Sequence, residues 1–244
     1  MAHEMVEVVC VGKGAQKEQA QALAKHMNVP LVETPGEELT VMFDSSGVSL
    51  IGFGLTFQGD FEQMLHRVSD GRLQHEMLVK AAKNGRPGTK AIDATAGMGE
   101  DSFLLAAFGY EVTMYEQNPV VAALLKDALR RAKKNPAIRD IANRMTLVEG
   151  NSIDLLAGKL DEIEVIYLDP MFPARQKSGL INKKMQLIQK LEMPCSEESE
   201  LFAAAMNVHP AKIIVKRPLK APHLDGRKPN YMLEGKAIRY DCSV

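Results

Sequence analysis

The stretch Ala91-Ile92-Asp93-Ala94-Thr95-Ala96-Gly97-Met98-Gly99-Glu100-Asp101 decides how the rest of the chain is read. A strand-like run, Ala91 to Ala94, enters a turn carrying two glycines and then a helical pattern from Glu100 to Phe108. Gly97 and Gly99 permit positive φ and let a ligand approach bare backbone where strand gives way to helix. The next strand, Glu111 to Tyr115, ends at Glu116, whose carboxylate is placed to accept hydrogen bonds from both hydroxyls of a ribose. Together these features fit an adenosine-bearing cofactor, either a nicotinamide dinucleotide or S-adenosylmethionine.

A phosphate requirement separates the two. A dinucleotide wants G-x-G-x-x-G so that its pyrophosphate lies over a helix N-terminus, and here Ser102 holds the third glycine position. Glu100 and Asp101 also put two carboxylates where the pyrophosphate would sit, and at close range they repel it. S-adenosylmethionine has no phosphate and carries a sulfonium and an amino group, so acids are tolerated there. The same acids also stabilise a helix dipole with no ligand at all.

Outward from this turn the chain alternates strand and helix. A helix over Leu73 to Lys83 precedes it; helix Pro119 to Lys134, strand Met145 to Val148, a short helix near Ile153 to Ala157 and the apolar strand Val165 to Leu168 follow. A helix around Ser196 to Met206, a strand Lys212 to Val215 and strands near Tyr231 and Ile238 complete the run. Such alternation predicts a doubly wound, Rossmann-like α/β sheet, with ligands at the carboxyl ends of the strands. Residues 1–70 have a different texture: a strand Val6 to Val11, a helix Gln16 to His26, and strands Val41 to Phe43 and Val48 to Phe53 around the turn Asp44 to Gly47. They predict a small N-terminal α+β lobe ahead of a main domain at 71–244.

With 244 residues, 45% hydrophobic and 25% charged, the chain has the balance of a globular protein that buries its own core. Thirty Lys and Arg against 31 Asp and Glu give a formal charge of -1, which excludes bulk attraction to polyanions but not a local basic patch. Cys10, Cys195 and Cys242 are in no metal-ligand or CxxC spacing, and reduced thiols are expected. Glu4 and Glu7 interrupt the N-terminal apolar run, and no window reaches the roughly 18 apolar residues of a membrane helix, so a cytoplasmic protein is expected. His66, His75 and Glu76 lack converging ligands at diagnostic spacing, and no metal is expected.

At the end of strand Val165 to Leu168 stands Asp169-Pro170-Met171-Phe172-Pro173, where two prolines stiffen a non-helical turn at the ligand edge. Asp-Pro-Met-Phe resembles the Asn/Asp-Pro-Pro-Tyr/Phe motif of methyltransferases that modify exocyclic amino groups of bases. The ordered strings DATAGMGED (93–101), EQNPVVAALL (116–125), YLDPMF (167–172) and VKRP (215–218) resemble the ribosomal RNA small subunit methyltransferase J family, from about Gly71 onward. The resemblance implies a class I S-adenosylmethionine-dependent methyltransferase core acting on the 2-amino group of a guanine in 16S ribosomal RNA, alone or in the small ribosomal subunit. It implies cofactor contacts from Glu100 and Asp101, Glu116 and Gln117, Asn151 and Ser152, and Asp169, beside Asp93, Gly97 and Gly99 of the turn. Thr95 and Met171 stand where methyltransferases at large carry glycine and proline.

The expected catalytic set is Asp169 and Pro170, whose carboxylate and backbone carbonyl hold the amine, and Phe172, which stacks on the extruded base. Arg175, Lys177, Lys183, Lys184 and Lys190 follow with no acid among them, and Lys212, Lys216, Arg217, Lys220, Arg227 and Lys228 gather later. Of these, Arg175, Lys177, Lys183, Lys184, Lys216 and Arg217 are the expected contacts to RNA phosphates. Other readings stay open at this point: transfer to adenine's 6-amino group or to a protein, a nicotinamide-dependent oxidoreductase, or a non-catalytic RNA-binding module.

Overall fold

The computed structural model describes residues 6–14, 16–36, 39–83, 88–170, 187–188, 191 and 197–244. Contacts divide the chain into two compact units, one of residues 1–60, 118–131 and 171–194, the other of 61–117, 132–170 and 195–244.

The first unit holds a five-stranded sheet. β1 (Val8–Val11) leads through α1 (Lys17–Met27) to β2 (Leu31–Val32), and β3 (Thr40–Asp44), β4 (Gly47–Gly52) and β5 (Leu55–Phe57) complete the order β2-β1-β3-β4-β5. Ala20, Leu23 and Ala24 fall on one helical stripe and are buried, and Asn28 closes α1 in the left-handed conformation at φ 55°. The β3–β4 turn is fixed by Asp44, whose Oδ1 accepts from the Ser46 amide at 2.7 Å and hydroxyl at 2.6 Å. Phe53, expected to end a strand, instead sits in the following turn at φ 52° and is exposed.

The second unit holds seven strands. β6 (Lys90–Asp93), β7 (Glu111–Glu116), β8 (Met145–Glu149), β9 (Val165–Leu168), β10 (Lys212–Pro218), β11 (Tyr231–Glu234) and β12 (Ile238–Ser243) lie in the order β11-β12-β10-β9-β6-β7-β8. Strands β6 to β10 pair in parallel, whereas β12 runs antiparallel to β10 and β11 antiparallel to β12. The chain passes outward from β6 through β7 to β8, then returns to place β9 and β10 on the other side of β6. The β6–β9 boundary is therefore the point where strand order reverses, and a crevice opens there in doubly wound sheets.

Among the described residues the helices of this unit are α2 (Leu65–Val68), α3 (Met77–Ala82), α4 (Glu100–Phe108), α6 (Arg139–Ala142), α7 (Ser152–Leu156) and α8 (Glu198–Asn207); α5 (Pro119–Ala132) connects β7 toward β8. The helix expected over Leu73 to Lys83 is broken: Leu73–His75 forms a 3-10 turn and Glu76 is extended at φ -60°, ψ 130° before α3 begins. A bidentate pair with Arg67, at 2.9 and 2.7 Å, holds Glu76 at this break. Helix α4 buries Ser102, Phe103, Leu104, Leu105 and Ala106, so it is apolar nearly all round, and Phe103 stacks on Phe61 at 5.2 Å. One side of the sheet is closed by Ile92, Ile166, Leu168, Ile213 and Val215 packed with Leu201, Phe202 and Ala205 of α8. Cys10 and Cys242 are buried free thiols. Among the described residues no helix is long and apolar enough to cross a membrane.

Candidate active site

Three strand tips meet where the order reverses. Parallel register sets Asp93 of β6 level with Tyr167 of β9 and Met114 of β7, so Thr95, Asp169 and Glu116 emerge together at the carboxyl edge. Asp169 is tied to β6 directly, its amide donating to Thr95 Oγ1 at 2.6 Å. Thr95, which fills a usual glycine position, thus joins the two strand tips.

Within the turn, Gly97 (φ 51°) and Gly99 (φ 75°) both adopt the left-handed region, where a side chain would be strained. The Gly97 amide donates to Glu116 Oε2 at 2.9 Å, which couples the turn to the tip of β7. Asp93 braces the turn from beneath: it is 1% exposed and accepts from the Thr95 amide at 3.1 Å and the Ser102 hydroxyl at 2.6 Å. Burial pushes its carboxyl up to about 7 against the pull of those two donors. Ser102 at the third glycine position is therefore an internal hydrogen-bond donor to Asp93.

On the β8 side, Asn151 caps α7 by accepting from the Ile153 amide at 2.8 Å, and the Ser152 hydroxyl donates to the Ala94 carbonyl. Gln117 is exposed beyond Glu116. At the mouth of α4, Glu100 accepts from the Gln63 amide at 3.3 Å. Asp101 turns the other way, accepting from the Tyr167 hydroxyl at 2.6 Å and the Lys216 ammonium at 2.9 Å. The same ammonium is 2.8 Å from Asp169 Oδ2.

Lys216 therefore lies inside the site, bridging two carboxylates, and this replaces its expected place on an RNA-facing surface. Burial works against its ammonium, but Asp101 and Asp169 outweigh that and raise it. Asp169 is raised, first by burial and then by Asp101, while Lys216 opposes both. Arg217, next along the strand, points away from this cluster. It is 2% exposed and paired with Glu198 at 3.2 Å and the Pro222 carbonyl at 3.0 Å, which gives it a structural place rather than one open to a phosphate. Lys212 is buried as well, donating to the Ala81 carbonyl at 2.9 Å. Phe172, Arg175, Lys177, Lys183, Lys184 and Lys190 lie outside the described residues. Pro170 is described and buried.

Sequence reasoning missed Thr95 and Tyr167 as site residues; the signal that could have found them is position, Tyr167 lying two residues before Asp169 along β9 and Thr95 two residues after Asp93 in the turn. Among the described residues no group of three or more His, Cys, Asp or Glu side chains is arranged to hold a metal.

A family model described as a putative SAM-dependent methyltransferase matches residues 41–244. Ribosomal RNA small subunit methyltransferase J of Pseudomonas aeruginosa (strain LESB58) is 40% identical over 233 residues, covering 92% of this chain and 89% of the relative. The protein of that name from Thioalkalivibrio sulfidiphilus is 40% identical over 244 residues, covering 93% of each. The chain belongs to the ribosomal RNA small subunit methyltransferase J family. A solved SAM-dependent methyltransferase from Neisseria gonorrhoeae has the same fold, with a TM-score of 0.76 at 30% identity over 97% of this chain and 95% of that one.

Membership makes S-adenosylmethionine the cofactor and removes the nicotinamide reading. The donor set fits it. Glu100, Asp101, Glu116 and Asp169 surround an open glycine turn with Lys216 as the ammonium set among them, an arrangement suited to a cationic, phosphate-free ligand.

Proposed function

We propose that this chain methylates an exocyclic amino group of a base in 16S ribosomal RNA, the 2-amino group of guanine, using S-adenosylmethionine, in the cytoplasm. The relatives named for ribosomal RNA small subunit methylation support the substrate class. The observation that carries the chemistry is Asp169 at the tip of β9, its backbone pinned by Thr95 and its Oδ2 by Lys216.

When bound, S-adenosylmethionine supplies an electrophilic methyl on a sulfonium, which departs as a neutral thioether as the new C–N bond forms. Guanine's 2-amino lone pair is delocalised into its ring, so the amine needs a partner that favours a tetrahedral nitrogen. Asp169 provides it by accepting an amine N–H, with the carbonyl of Pro170 accepting the other, and the carboxylate takes up the proton the methylated nitrogen releases. The raised carboxyl of Asp169 suits that acceptor role. The pocket also positions the reactants, which contributes as much as any proton transfer. Phe172 stacks on the extruded base, and Arg175, Lys177, Lys183 and Lys184 contact backbone phosphates.

Asp169→Ala is expected to abolish methyl transfer to small-subunit ribosomal RNA. Near-normal incorporation of labelled methyl by that variant would sink the proposal. Mapping the methylated nucleotide in ribosomal RNA from cells with and without the protein tests the base: a missing methyl on adenine would replace guanine as the target.

A further inference from the structure

One ammonium stands between two carboxylates at the reacting end of the site. Lys216 Nζ is 2.9 Å from Asp101 Oδ2 and 2.8 Å from Asp169 Oδ2, with side-chain exposures of 25%, 17% and 34%. The cluster is set by strand register. Val215 of β10 pairs with Leu168 of β9, which places Lys216 beside Asp169, and Lys216 pairs with Tyr240 of β12. On its other flank Asp101 is fixed by the Tyr167 hydroxyl at 2.6 Å. Without the ammonium, two like-charged carboxylates would face each other in a partly desolvated space, and one would hold a proton.

We infer that Lys216 is a positioning residue for methyl transfer, holding Asp169 ionised and oriented so that its carboxylate can receive an N–H of the substrate amine. The inference rests on the role given to Asp169 under Proposed function. Among the described residues, the charged and titratable groups acting on Asp169 are Lys216 from β10, Asp101 from α4, Asp93 from β6, Tyr167 from β9 and Tyr240 from β12. Arg67 from α2 acts on Tyr240 and is itself paired with Glu76. Lys216 is the cation of this set in direct contact with Asp169.

Lys216→Met should therefore move the acid limb of the pH–rate profile upward by about 1 to 3 pH units, the range of shift an adjacent opposite charge produces. The variant is slowest relative to the parent at low pH, and the gap closes as pH rises. Asp101→Asn should move the limb downward, because Asp169 then keeps the ammonium without its like-charged neighbour; Asn retains an oxygen for the Tyr167 hydroxyl. Calorimetry gives a second readout. Removing a positive charge beside a cationic cofactor should leave S-adenosylmethionine binding by Lys216→Met no weaker than the parent's, whereas a merely structural lysine would weaken it. Lys216→Arg should restore the parental limb.

A pH-independent loss of rate in Lys216→Met, or weaker cofactor binding with an unmoved limb, overturns the inference. Should Lys216→Met not fold, the limb of Asp101→Asn decides, and its failure to move down is equally fatal. Asp169→Asn separates this from the underlying proposal. A fully active Asp169→Asn removes the acceptor role itself; an inactive one beside an unmoved Lys216→Met limb removes the role of Lys216 alone.

Discussion

Asp93 lies beneath the glycine turn without needing to touch a ligand, and its burial has a thermodynamic signature. Its carboxyl titrates at about 7 in the folded protein but near the ordinary carboxylate value once unfolded. Between about pH 4 and 7 the folded state then binds more protons than the unfolded one, so this group's contribution is fully present below that window and lost as pH rises through it. The loss amounts to about 4 kcal/mol at most. Asp93→Asn keeps an acceptor for Thr95 or Ser102 and cannot ionise. Urea denaturation at pH 5 and 7.5 is expected to show a smaller drop in stability for Asp93→Asn than for the parent. Lys216 and Arg217 are adjacent cations in VKRP, but a strand sends neighbours to opposite faces, one to Asp101 and Asp169 and the other to Glu198. Which carboxylates await each face depends on strands and helices distant in the chain.

At the scale of elements, the alternation that predicted β6, α4, β7, β8 and β9 was legible because apolar runs and glycine turns are local signals. The break at Glu76 was not, since an ion pair with Arg67, nine positions away, decides it. Phe53 reads as strand because an apolar side chain suits one, whereas Phe53-Gly54 turns with both residues at positive φ. The β3–β4 turn shows tertiary context reaching into a local motif. Gly47 has φ 129°, and a Cβ there would overlap the Asp127 carboxylate. Asp127, 4% exposed, is held by Arg130 at 2.6 Å and Arg131 at 2.8 Å. Burial works to raise its carboxyl, yet these donors together with the Val48 amide prevail and lower it. Gly47→Ala is expected to destabilise this unit by about 2 kcal/mol or more through strain and overlap, seen as a lower melting temperature. Methyl transfer measured well below that temperature should be little changed.

Across the whole molecule, a formal charge of -1 leaves RNA affinity to local patches. Lys212, Lys216 and Arg217 are held internally, so the run from Arg175 to Lys190 is the set on which phosphate contact depends in our proposal. Affinity for small-subunit RNA should fall as salt rises, with a log–log slope of about 0.7 for each phosphate contacted in single strands, and neutralising Lys183 and Lys184 together should flatten it. A slope unchanged by that double substitution would remove these lysines from the interface.

The hydrogen bond from the Asp169 amide to Thr95 joins residues 74 apart in the chain, and the pairing of β6 with β9 closes a loop that contains both β7 and β8. Contacts of such span are late events in folding, because closing the intervening loop must precede any reward. The pairing of β6 with β7 is far more local. A refolding chain should recover most of its helical signal before it gains competence to bind S-adenosylmethionine, so the capacity for chemistry is the last property to mature and the first lost when the sheet opens at its centre.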